Sequence, residues 1–91
     1  MTIQNTPSYP GIAISDLDGT LLHGNGKISE ADLAAFRLLS ERRIPRVIAT
    51  GRSLFSTRRV LNEDFPIDYL VFSAGAGVMD WRGQKLLRKR V

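Results

Sequence analysis

The sequence has no cysteine, and that absence excludes disulfides, thiolate catalysis and cysteine metal ligands together. Nor does any apolar run approach the ~20 residues that cross a bilayer. Residues 1–10 carry Pro7 and Pro10 without a basic region followed by an apolar core, so they do not read as a secretion signal. Internal repeats, low-complexity tracts and linkers are missing as well. These absences point to a soluble cytoplasmic domain with no membrane partner.

Acidic residues are the scarcer charge, 9 against 13 Lys and Arg, for a net charge of +4. That balance suits anionic ligands. Arg42, Arg43, Arg46, Arg58 and Arg59 make up much of the excess, but they fall on separate elements with no aromatic interleaving, so nucleic acid is not an expected partner. At 91 residues, 43% of them hydrophobic, the chain holds one core. A chain of this size buries roughly 60 to 70% of its unfolded surface.

What is present is organised around Gly11-Ile12-Ala13-Ile14-Ser15-Asp16-Leu17-Asp18-Gly19-Thr20. A short apolar run ends abruptly in two carboxylates, a glycine and a threonine. The run reads as a strand over about Gly11–Ser15, buried on both faces, that leaves the core as charge appears. Ligands of open parallel sheets bind at the carboxyl ends of the strands. Two acids at such an end repel unless a cation or a shared proton offsets them, so they imply a divalent metal, an acid/base pair, or both.

The pattern recurs along the chain. His23-Gly24-Asn25-Gly26-Lys27 permits positive φ and predicts a hairpin-like flap; His23, a lone histidine, is a candidate base there. Ser29-Glu30-Ala31-Asp32 matches a helix start with Ser29 as N-cap, followed by an apolar stripe of Leu33, Phe36 and Leu39 with Ala35 and Leu38 beside it. Arg42 and Arg43 are expected in the last turn, where they complement the helix dipole, and Pro45 forbids continuation. A second strand, Val47-Ile48-Ala49, runs into Thr50-Gly51-Arg52-Ser53 and a helix over about Leu54–Asn62. A hydroxyl followed by N–H groups at a helix start can cradle phosphate, or Thr50 or Ser53 simply caps the helix. Arg58 and Arg59 are expected to be solvated. Tyr69–Phe72 is the third strand, and the small residues Ser73 to Gly77 after it let backbone approach a ligand. Val78 to Leu87 predicts a hairpin with Gly83 in its turn and Trp81 as a packing residue or a partner contact. Strand, helix, strand, helix, strand predicts right-handed crossovers and a parallel sheet. Residues 1–10 read as a flexible N-terminal arm.

Asp16-Leu17-Asp18-Gly19-Thr20 at one strand end, followed by Thr50-Gly51-Arg52 at the next, resembles the haloacid dehalogenase-like (HAD) hydrolase superfamily. The likeness is greatest to its Cof-type branch of sugar-phosphate phosphatases. It extends through the Ser73–Leu87 segment and covers the chain from Gly11 to Leu87. The resemblance implies an α/β fold: a three-layer, Rossmann-like parallel sheet flanked by helices, incomplete here, with a C-terminal β-hairpin. Residues 11–91 would then be the N-terminal part of a catalytic core domain.

The resemblance also implies roles. Asp16 would be the nucleophile that forms an aspartyl phosphate. Asp18 would act as general acid and then general base. Mg²⁺ would lie between a carboxylate oxygen of Asp16 and the backbone carbonyl of Asp18. Thr50, with N–H groups near Gly51, would bind the phosphoryl group, and Arg52 would contact the phosphate or form a structural ion pair. The substrate would be a small phosphate ester. The same aspartate chemistry serves phosphosugar mutases, and a truncated, non-catalytic fragment is the other alternative. The family's screening lysine and later acidic motif lie beyond a cap domain and are not among these 91 residues; Lys85 and Lys89 come too early for that role. The strand-one edge at Gly11–Ile14 is therefore expected to be unpaired, inviting self-association or a missing C-terminal part to cover it.

Overall fold

The computed structural model describes residues 2–6, 9–24 and 26–89. Six strands form one sheet in the order of the sequence: β1 (Thr2–Thr6), β2 (Tyr9–Asp16), β3 (Arg46–Ala49), β4 (Tyr69–Phe72), β5 (Gly77–Asp80) and β6 (Lys85–Lys89). The central strands β2, β3 and β4 are parallel, with Asp16 level with Ala49 and Ala49 level with Val71. Parallel neighbours need a crossover, and α1 (Glu30–Glu41) and α2 (Leu54–Arg58) supply the two that are required. The outer pairs, β1 with β2 and β4 with β5 with β6, are antiparallel.

Alternation along the strands decides which face the helices cover. Ala13, Ile48, Leu70, Phe72 and Met79 are buried on one face, where all but Ala13 join Phe36 of α1 and the buried Leu61, Phe65 and Trp81 in a single core. The Phe36 and Phe65 rings meet edge to face with centroids 5.4 Å apart, a favoured aromatic geometry. On the opposite face Ile12 and Tyr69 are 41% and 42% exposed, and Ile14, Val47, Val71 and Val78 are exposed or half-buried. The described residues thus supply two layers of the three-layer architecture. At the base of the sheet the buried Arg46 closes a fork on Asp68, at 3.2 and 3.0 Å, and donates its remaining arm to the Pro66 carbonyl at 2.9 Å. Its charge is fully partnered, as burial of a guanidinium requires.

Five expectations change. The arm over residues 1–10 holds a strand: Thr2 to Thr6 pair with β2, Thr2 opposite Ile14 and Gln4 opposite Ile12, so the edge expected to be bare is paired from within the chain. Closing so short a loop costs little entropy, and the ladder satisfies backbone groups of β2. α2 ends at Arg58 rather than near Asn62, because i→i−3 bonds such as Arg59 N to Ser56 O and Val60 N to Thr57 O tighten its exit. Arg42 caps α1 and Arg43 follows it with φ 57°, so neither lies in the last turn. Leu38, beside the apolar stripe, is 48% exposed. Arg58 is not simply solvated, since it donates to Gln84 Oε1 at 3.1 Å across to the hairpin.

Trp81 does pack: it is wholly buried, and its indole N–H donates to the Asn62 carbonyl at 3.1 Å. Gly77 opens β5 because any Cβ there would fall on the Phe72 ring. Gly77→Ala is accordingly expected to destabilise the fold by about 1 to 3 kcal/mol through overpacking, read as a lower urea midpoint at unchanged slope. A midpoint equal to wild type would show that the Phe72 ring gives way without cost.

Candidate active site

Each of the three parallel strands ends in a loop at the same rim. β2 releases the chain after Asp16, whose side chain is exposed, while Leu17 drives fully into the core. The loop then folds back over Leu17, whose carbonyl accepts from Leu21 N and Leu22 N at 3.1 and 2.7 Å. Gly19, at φ 76°, makes the reversal. The flap after it is closed by Gly26 N to His23 O at 2.8 Å and by a bridge between Leu22 and Ile28; Asn25 lies outside the described residues. His23 Nε2 meets Asp32 Oδ2 at 3.2 Å, tying the flap to α1 on an exposed surface.

At the end of β3, structure separates two hydroxyls that sequence leaves equivalent. Ser53 caps α2, accepting from Ser56 N at 3.1 Å. Thr50 does not cap; its Oγ1 accepts from Arg52 N at 3.1 Å, which leaves its own proton available to donate. Main-chain bonds fix it on both sides, Thr50 N to Val71 O at 2.9 Å and Ala74 N to Thr50 O at 3.1 Å. The turn after β4 takes Ser73, Ala74 and Gly75 through φ values of 50°, 52° and 95°. Left-handed backbone is costly for the first two residues, and bonds from Ser73 N to Arg52 O and Ala74 N to Thr50 O hold it in place.

These loops enclose an open cavity of about 350 Å³ lined by Asp16, Ala49, Thr50, Val71, Ala74 and Gly75. Asp16 and Thr50, 34 residues apart in sequence, are therefore brought together at the carboxyl ends of neighbouring strands. Ala74 and Gly75 were signalled only by the run of small residues, not as individual site residues. Asp18 and Arg52 form a pair: Arg52 Nε donates to both carboxylate oxygens at 3.0 Å, and Nη2 donates to Oδ1 at 2.8 Å. Those hydrogen bonds, with the guanidinium charge, hold the Asp18 carboxyl below the usual carboxylate range, against the opposing effect of desolvation. The pair is open to solvent, Asp18 by 53%, so it adds little to stability. Its contribution is present above the ordinary carboxylate pKa and is lost as pH falls through the lowered one.

Among the described residues no cluster of three or more His, Cys, Asp or Glu forms a ready metal cage. With its carboxylate on Arg52, Asp18 would offer a cation its backbone carbonyl, and Asp16 its exposed carboxylate. Two hard oxygen donors fit a cation of the Mg²⁺ type, which keeps several waters and takes few protein ligands. No helix of the described residues is long and apolar enough to cross a membrane.

Residues 13–91 match the haloacid dehalogenase-like hydrolase family. The chain is 34% identical over 79 residues to an HMP-PP phosphatase of Klebsiella pneumoniae, covering 86% of this chain and 29% of that one. Its structure superposes on a haloacid dehalogenase-like hydrolase of B. subtilis with a TM-score of 0.73 at 29% identity, over 86% of this chain and 27% of the other. A HAD-superfamily phosphatase of Bacteroides thetaiotaomicron gives 0.72 at 28% identity, over 94% and 32%. The chain thus spans about 30% of the length of the proteins it matches, and the sheet with helices on one face is an incomplete Rossmann-like core of their fold. A family match over residues 13–91, nearly the whole sequence, places this chain in the haloacid dehalogenase-like hydrolase family.

Proposed function

We propose that this segment carries the nucleophile of a Mg²⁺-dependent phosphatase that hydrolyses a small phosphate ester through an aspartyl phosphate. The observation that carries the reading is the cavity shared by Asp16 and Thr50 at the carboxyl ends of parallel strands. A carboxylate there can attack phosphorus, and a hydroxyl proton opposite can meet a phosphoryl oxygen. The family match and the phosphatases among the similar proteins support the coarser reading of a phosphatase.

In this reading an Asp16 oxygen bonds to phosphorus as the ester P–O bond breaks. Asp18, ionised while Arg52 holds it, must first exchange that guanidinium for a proton as the substrate phosphate draws Arg52 away, and it then gives this proton to the leaving oxygen. Water then attacks the phosphoryl group, Asp18 takes its proton, and the Asp16–phosphorus bond breaks to release inorganic phosphate. Thr50 Oγ1, fixed by Arg52 N, donates to a phosphoryl oxygen, and the N–H groups near Gly51 add to that cradle. The Asp16 carboxylate and the Asp18 carbonyl would hold Mg²⁺, which would supply positive charge to offset that of the phosphate. Arg52, which is paired with Asp18 and lies in the same loop as Thr50, would in this reading turn to the phosphate or the substrate.

Thr50→Val keeps shape and removes the donor, so it is expected to lower kcat/KM by about 10²-fold, as for one lost oxyanion donor. A value within twofold of wild type would remove Thr50 from the site. The reading as a whole is tested by screening phosphate monoesters for phosphate release by the longest natural form of the protein, with Mg²⁺ and with EDTA. Release that requires Mg²⁺ is expected; isomerisation of a sugar phosphate without free phosphate would assign the mutase chemistry instead.

A further inference from the structure

The proposed chemistry uses Arg52, yet nothing in it explains why the guanidinium faces Asp18 in one defined orientation. The backbone of Arg52 is pinned at both ends, N to Thr50 Oγ1 at 3.1 Å and O from Ser73 N at 2.7 Å. Beyond the backbone a long side chain retains many rotamers unless something holds its end. Nε and Nη2 face Asp18, which is 53% exposed. Nη1 points elsewhere and donates to Ser56 Oγ at 3.0 Å.

Ser56 is the better anchored of the two partners. It lies in the first turn of α2, with its backbone N–H on the Ser53 cap at 3.1 Å. It is uncharged, so it cannot compete with an anion for the guanidinium; it can only fix where the third arm lies. We propose that Ser56 is a positioning residue that acts through Arg52, keeping the Nε and Nη2 edge turned toward Asp18 so that a phosphoryl group meets an oriented fork. A phosphate dianion offers the same paired oxygens as a carboxylate and more charge, and bidentate geometry suits both. It competes with Asp18 for that edge, while the bond to Ser56 stays on the far arm. Ser56 therefore sets how tightly the phosphoryl group is held and leaves the chemical step alone. This inference rests on the phosphatase reading.

Steady-state kinetics of the longest natural form with p-nitrophenyl phosphate and Mg²⁺ test it, alongside calorimetric titration with inorganic phosphate. Ser56→Ala is expected to raise KM about three- to tenfold, the effect of one hydrogen bond, with kcat within twofold of wild type. The phosphate Kd weakens by the same factor, a readout that needs no turnover. Ser56→Thr restores both to within twofold, and adding Ser56→Ala to Arg52→Ala changes neither any further. An unchanged KM and Kd in Ser56→Ala, an effect that persists without Arg52, failure of the threonine to rescue, or absence of phosphate binding in the wild type would each overturn the proposal. Asp16→Asn separates the two readings. If that variant turns over normally the phosphatase reading fails, and if it is silent while Ser56→Ala binds phosphate like wild type, only the positioning role fails.

Discussion

Asp16→Asn is expected to abolish phosphate release in any active form that contains this segment, by about 10⁴-fold or more, the scale seen when a nucleophile is removed. The amide is nearly isosteric, and the backbone of Asp16 stays in register with Ala49. The exposed side chain carries no core contact whose loss would unfold the domain. What changes is chemistry: an amide oxygen does not attack phosphorus, and the carboxylate offered to Mg²⁺ is gone as well. Phosphate release under saturating Mg²⁺ measures the effect, with the urea midpoint expected to match wild type. Retained turnover would sink the nucleophile assignment, and with it the phosphatase reading of the cavity.

Asp18→Asn is expected to slow turnover by roughly 10²- to 10⁴-fold, the usual cost of losing general acid and base help. The Mg²⁺ concentration for half-maximal activity should move little, because the proposed ligand is a carbonyl that the substitution leaves in place. The acid side of the stability profile should also change. Arg52 lowers the Asp18 pKa in the folded protein, so wild type gains from the pair above the ordinary carboxylate value and loses that gain as pH drops below about 4. Asparagine carries no such charge, and the variant's urea midpoint should depend less on pH there. A variant that lost Mg²⁺ dependence while keeping its rate would assign Asp18 to the metal and not to proton transfer.

Where strands would lie was legible because hydrophobic runs end in small, polar or charged residues. β4 is the stretch Tyr69–Phe72 that the sequence indicates, and β3 gains only Arg46. Ser29 caps α1 as its spacing predicts, since an N-cap bond spans three residues and needs no distant partner. The β5–β6 hairpin and the packing of Trp81 follow from equally local cues. β1 was not legible, because Thr2-Ile3-Gln4-Asn5-Thr6 has no apolar alternation, and the ladder with β2 that defines it is a pairing between backbones. The length of α2 was misjudged for a related reason. Its residues have helical propensity past Arg58, and the turn at Arg59 and Val60 leads instead to the buried Leu61.

The site divides in the same way. The sequence by itself determined that carboxylates, a hydroxyl and glycines stand at the ends of apolar strands, because burial forbids charge until the chain leaves the core. It could not decide which hydroxyl caps α2, since Thr50 and Ser53 both precede it and only backbone geometry selects Ser53. It could not decide the partner of Arg52 either. Asp18 lies 34 positions away, and only the parallel register of β2 and β3 brings the two loops to one rim. Local chemistry is written along the chain, whereas the meeting of Asp16 with Thr50 and of Arg52 with Asp18 and Ser56 depends on crossovers that packing fixes.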